Sequence, residues 1–252
     1  IFTKSMIMTL ICGIILTIIR IFFLEELCIF LGTSEQTFQM SRDYLGVLLS
    51  FSIPFVLNNA LTVLVRNDGA PKLAMLAMLT GSIVNVILDY VFIIMFDLGM
   101  WGGALATGLC PVIGLVILST HFIKKNNNMK FTKLKIEFNI IKRIISNGFA
   151  SFIVELSSGV VIFAFNMVIL GITGDIGVSA YSIIANLSLI CTAIFTGVGQ
   201  AIQPIVSINY GAQKMNRVYE SIKLAIRTSL LIGILFYFIG LLFPEFLVSI
   251  FS

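Results

Sequence analysis

Charge is scarce in this chain: Asp, Glu, Lys and Arg together make up 11% of its 252 residues. A soluble domain carries about a quarter charged residues, so no ordinary water-facing surface can be built from this composition. Histidine is scarcer still. The single His121 excludes a histidine-based catalytic triad inside the membrane and a centre built from several histidines. Four cysteines (Cys12, Cys28, Cys110, Cys191) show no CxxC or other ligand spacing, which leaves packing as their expected role. HExxH, the phosphate-binding GxxxxGK[ST] and the nucleophile elbow are all missing. Nothing in the chain is arranged for enzyme chemistry.

What is present in their place is long apolar sequence. The chain is 58% hydrophobic with a mean hydropathy of +1.07. About 20 apolar residues are needed for a helix to span a bilayer. Such stretches recur over Ser5–Phe23, Leu45–Val65, Leu73–Phe96, Gly103–Phe122, Gly148–Leu170, Ala180–Ile208 and Ser221–Phe243. The fold class is therefore an all-α integral membrane protein with about seven transmembrane helices. Ser5–Phe23 is a true span and not a signal sequence, because it lacks a small-residue cleavage site and is followed by more spans.

The loops assign an orientation. Every Lys and Arg except Arg20 and Arg42 falls at the chain start, in alternate connections, or at the start of the seventh span, where Lys223 and Arg227 lie. Basic residues accumulate on the cytoplasmic side, so the chain start and the 124–147 loop are expected inside a cell (plasma) membrane that the chain crosses repeatedly. Orientation and contact with membrane lipids account for the +4 net charge, and no nucleic-acid partner is expected.

The 124–147 connection divides the chain into residues 1–123 and 148–252. Its first half is polar, and its second half places Ile140, Ile141, Ile144 and Ile145 on one face, as in a helix lying in the inner interface. FFLEELCIF from Phe22 and LFPEFLVSI from Leu242 echo each other, as two related halves of one protein would. The chain starts at Ile1 and stops soon after the seventh span, which predicts a piece of a longer protein.

Within the spans the polar residues are concentrated on stripes. Asp89 sits near the middle of the third span, one helical turn after Asn85 and on the same face, with Ser82 beside them. An acid at that depth costs about 2.5–3.5 kcal/mol on insertion scales, so it is expected to face protein or water and to have a task. No Lys or Arg lies deep in any span to pair with it. Ser50, Pro54, Asn58 and Thr62 form a stripe with an expected kink on the second span. Glu155 and Asn166 lie on a fifth-span stripe, and Thr196 and Gln200 on a sixth-span one. Pro111 stands four residues after Thr107 in the fourth span and frees a carbonyl of the preceding turn. A freed carbonyl, a hydroxyl and a carboxylate suit a hard cation such as Na⁺, and a desolvated carboxyl suits a proton. Asn58, Asn166, Thr196 and Gln200 are the expected cavity-lining residues.

Three blocks resemble the multidrug and toxic compound extrusion (MATE) transporters: VRNDGAPKLAMLAMLTGSIVNVILDYVFI from Val65, GMWGGALATGL from Gly99, and GVGQAIQPIVSINYGAQKMNRV from Gly197. Their order is similar to the third-to-ninth helix region of that family. The resemblance implies a twelve-helix, two-lobe transporter that exports small amphipathic cationic drugs in exchange for Na⁺ or H⁺, with no other cofactor, as a monomer. It makes residues 1–123 the last four helices of the N-lobe and residues 148–252 the first three of the C-lobe. Asp89, Asn85 and Thr107 match the family's N-lobe cation site, and Glu155 its C-lobe acid. The family's first-helix acid has no counterpart here. A lipid-linked oligosaccharide flippase of the same superfamily is the alternative, though it wants a more basic cavity. A seven-helix receptor would need the opposite orientation, and an inactive truncated product is the remaining reading.

Overall fold

Apolar runs of this length leave backbone hydrogen bonding within the helix as the stable arrangement in lipid. The structure, a computed structural model, describes residues 2–31, 33, 38–123, 127, 129, 131 and 138–249, and their regular elements are all helical. In order these are α1 (Phe2–Phe30), α2 (Phe38–Ser50), α3 (Ser52–Asn67), α4 (Pro71–Asp89), α5 (Gly99–Ile123), α6 (Phe138–Gly211), α7 (Met215–Leu242) and the short α8 (Pro244–Ser249). Between α4 and α5 the helix widens into a π-helical turn, Tyr90–Met95.

Six helical segments are long and apolar enough to cross a membrane, and α2 with α3 makes a seventh if the bent pair is one span. All seven expected spans fall on them. The fifth and sixth share α6, broken at Gly174, whose positive φ of 66° only glycine adopts without strain. The kink expected in the second span is a 53° bend between α2 and α3, at Phe51. Pro54 accounts for its place: the ring has no N–H for the Ser50 carbonyl one turn back and crowds it, so the helix breaks in the turn before the proline. Residues 138–147, the second half of the basic connection, are helical and run on into the fifth span. Most of its first half lies outside the described residues.

The chain divides into two units, Ile1–Lys142 and Arg143–Ser252. In the first, α5 packs against α2, α3 and α4, and α1 packs against α2 and α3. Small residues bring α1 and α3 together: a methyl group on Gly13 would lie 2.9 Å from the Ile53 Cα. The seam is stitched by hydroxyls. Ser52 Oγ donates to the Gly13 carbonyl at 3.1 Å and lies 3.0 Å from Thr17 Oγ1. Close backbones joined by hydroxyls are how helices associate where lipid gives no hydrophobic drive.

At the end of this unit that carries the α3–α4 turn, Leu61, Val65, Ala77, Leu118 and Met129 form a buried cluster. Around α4 the sides differ in kind. Ile83, Val86 and Ile87 are exposed as a lipid-facing surface requires, Ala74 and Ala77 are buried, and Asn85 and Asp89 are half-buried.

The second unit is looser. Phe165 stacks on Tyr181 with ring centres 5.5 Å apart. An apolar groove of about 990 Å³ separates the latter part of α6 from α7, lined by Phe195, Ile202, Leu230, Tyr237 and Phe238 among others.

Candidate functional site

Of the residues expected to form a site, the structure brings Asn58, Asn85 and Thr107 together around one pocket and leaves Asp89 outside its lining. α3, α4 and α5 line an open cavity of about 290 Å³. Its polar lining is Asn58 and Asn59 from α3, Ser82 and Asn85 from α4, and Thr107 from α5, with Phe55, Met78, Cys110 and Pro111 as apolar or soft neighbours. Asp89 is half-buried one turn beyond Asn85 and lies within electrostatic reach of the Cys110 thiol. Among the described residues Asp89 forms no ion pair.

Local sequence explains each position. The four-residue step from Asn85 to Asp89 keeps both on the protein side of α4 while its Ile and Val residues take the lipid side. Pro111 does not break α5, which runs unbroken from Gly99 to Ile123. Its missing N–H still leaves the Thr107 carbonyl without its helical donor, and both residues line the cavity. Gly114 gives Asn58 its room: a side chain there would collide with the Asn58 amide.

Two polar atoms here are buried with no hydrogen-bond partner, Asn58 Oδ1 and Asn85 Nδ2. A buried acceptor left unpaired costs about 1–3 kcal/mol, which a cation would relieve at Asn58. Asn85 faces the Cys110 thiol, and a half-turn of its amide would present oxygen in place of nitrogen. An amide oxygen, a hydroxyl, a freed carbonyl and a nearby carboxylate form the all-oxygen set that hard cations take. No group of three or more His, Cys, Asp or Glu able to hold a metal ion occurs among the described residues.

The other expected residues do not join this cavity. Glu155 and Thr196 are exposed in the second unit, while Asn166 and Gln200 are half-buried there. The groove of that unit is lined mainly by apolar side chains, with neither Thr196 nor Gln200 among them. Cys110, Asn59 and Gly114 were not singled out by sequence. A three-residue step from Thr107 to Cys110 places the cysteine on the cavity side of α5, which is the signal that pointed to it.

A polar pocket between membrane-length helices is an arrangement that solute transporters share. The MatE family model matches residues 1–91 and 151–252, and the chain belongs to that family. It is 29% identical over 226 residues to the multidrug export protein MepA of Staphylococcus saprophyticus, covering 88% of this chain and 49% of that protein. To MepA of Staphylococcus aureus it is 28% identical over 229 residues, covering 89% and 49%. An outward-facing multidrug resistance MATE transporter of the MOP superfamily superposes with a TM-score of 0.88 at 25% identity, covering 99% of this chain and 56% of that one. A MOP superfamily transporter from Pyrococcus furiosus, described as having a binding pocket of reversed polarity, gives 0.88 at 26% with the same coverage. The chain spans about half the length of the curated relatives it matches.

Proposed function

We propose that this chain contributes the cation-coupling cavity and part of the second lobe of a multidrug exporter working by antiport. The observation that carries the reading is the cavity between α3, α4 and α5, where Asn58, Asn85 and Thr107 meet beside the unpaired Asp89. Na⁺ or H⁺ held there favours one orientation of the transporter and a small amphipathic cationic drug favours the other. Such exchange requires only that the two ligands have opposite preferences for the two states. The family relationship supports drugs as cargo, since the relatives matched are multidrug export proteins. Glu155 is proposed as a second coupling acid in the other lobe, and Asn166, Thr196 and Gln200 as part of the drug path. The loop charges favour a cytoplasmic chain start, a cytoplasmic 124–147 segment and a plasma-membrane location.

The test is drug export into inverted vesicles by the full-length transporter bearing this sequence, with Na⁺ and pH gradients imposed separately. One gradient should drive export, and Asp89→Asn should remove most of it without loss of folded protein. Equal export by Asp89→Asn and by Glu155→Gln under that gradient would overturn both coupling roles. The 252-residue chain alone, run in parallel, should export nothing; export by it would show that this half suffices.

A further inference from the structure

Arg66 is the buried charge that the cation cavity does not explain. Its residue is 8% exposed, and Nη1 is buried with no hydrogen-bond partner. Nη2 donates to Met78 Sδ at 3.5 Å, a soft and weak acceptor, and Met78 itself lines the cavity. No ion pair to Arg66 occurs among the described residues, and the acid two residues on, Asp68, bonds His121. A buried guanidinium is costly unless paired, so its retention asks for a function.

Its place on α3 suggests one. Asn58, Thr62 and Arg66 follow each other at four-residue intervals, a continuous stripe that starts in the cavity and ends at the α3–α4 turn. Thr62 is buried on that stripe, its hydroxyl donating to the Asn58 carbonyl at 2.7 Å. A polar seam of this kind is a route by which a cation could leave the cavity along the helix axis. Antiport fails if such a route conducts, because the gradient then discharges without moving drug.

Resting on the cation-site reading above, we propose that Arg66 is an electrostatic plug that shuts this end of the cavity to cations. A fixed positive charge in a low-dielectric seam raises the barrier for any cation approaching it, as arginines do in selective pores. The coupling ion is left to exit only by the alternating path. Among the described residues the Nη1 hydrogens meet no acceptor and the guanidinium forms no ion pair.

The experiment uses the full-length transporter bearing this sequence, purified into liposomes loaded with a Na⁺- or pH-sensitive dye. Arg66→Met removes the charge and keeps much of the length, and Arg66→Lys keeps the charge. Retained Na⁺ or H⁺ binding, read by calorimetry or by a pH-dependent melting shift, shows that each variant has folded around its cavity. The expected result is a passive cation influx at least tenfold above the parent in Arg66→Met and near the parent in Arg66→Lys. Intact cation binding with parent-level influx in Arg66→Met would overturn the plug and leave the cation site standing. Equal leaks in Arg66→Met and Arg66→Lys would overturn it as well, pointing to packing and not charge. Absence of cation binding in the parent would remove the cation site, and the plug with it.

Discussion

His121 Nε2 lies 2.8 Å from Asp68 Oδ2, tying the end of α5 to the turn between α3 and α4. Both side chains are nearly buried, at 6% and 9% exposure. Asn127 Nδ2 donates to the carbonyls of His121 and Phe122 at 3.2 and 3.0 Å, covering two of the acceptors that a helix C-terminus leaves open. The lone histidine of the chain thus tethers α5 to that turn.

Replacing His121 by Ala takes one buried partner from the Asp68 carboxylate, and the loss of a buried polar partner costs about 1–3 kcal/mol, more where the survivor is charged. The expected outcome is a melting temperature lowered by several degrees in detergent, with cation binding retained. Asp68→Asn, which keeps shape, should cost less. Thermal unfolding of the purified variants checks both.

Gly13 admits no side chain, since the α3 backbone at Ile53 occupies the space. Gly13→Val should therefore push α1 from α3 and break the Ser52–Gly13 bond, costing about 1–3 kcal/mol as overpacked interiors do. Yield of monodisperse protein in detergent is the readout. Gly13→Val behaving like the parent would show that the seam is more open than it stands here.

At Gly114 the obstacle is the far end of a flexible side chain, so the consequence differs. Gly114→Ala should fold normally but turn the Asn58 amide out of its present position. If Asn58 Oδ1 is a cation ligand, the expected loss is about tenfold in cation affinity, worth about 1.4 kcal/mol. Isothermal titration against the parent measures it, and unchanged affinity would remove Asn58 from the ligand set.

Pro111→Ala returns a backbone N–H to the Thr107 carbonyl. That donor competes directly with a bound cation for the carbonyl oxygen. Cation affinity should fall while the melting temperature of the apo protein rises slightly. A gain in affinity would mean that the carbonyl never takes part.

Most of the fold could be read in the residues because bilayer length and backbone satisfaction leave helices few choices. Asp89 and Asn85 were legible for a related reason: an acid at that depth has a high cost, so it stands out against its Ile and Val neighbours. Other features were hidden because they depend on pairs of helices. Gly114 looks like any other helix glycine until Asn58 on α3 is seen to lean over it. The 53° bend at Phe51, by contrast, was legible in Pro54, because a proline breaks a helix in the turn that precedes it. His121 and Asp68 are 53 residues apart, with nothing in the spacing to join them.

The π-helical turn from Tyr90 to Met95 follows Asp89 directly and bears on how such transporters diverge. A wide turn takes up one residue more than an α-turn, so it stores an insertion without lengthening the span. A relative with one residue fewer between Asp89 and Gly99 would keep the acid at the same depth and wind this stretch as plain α-helix. Counting residues back from Gly99 would then misalign the acid by one, whereas counting forward from Pro71 would not. Between such a relative and this chain, equivalent positions in this stretch would be fixed by depth and not by distance along the chain.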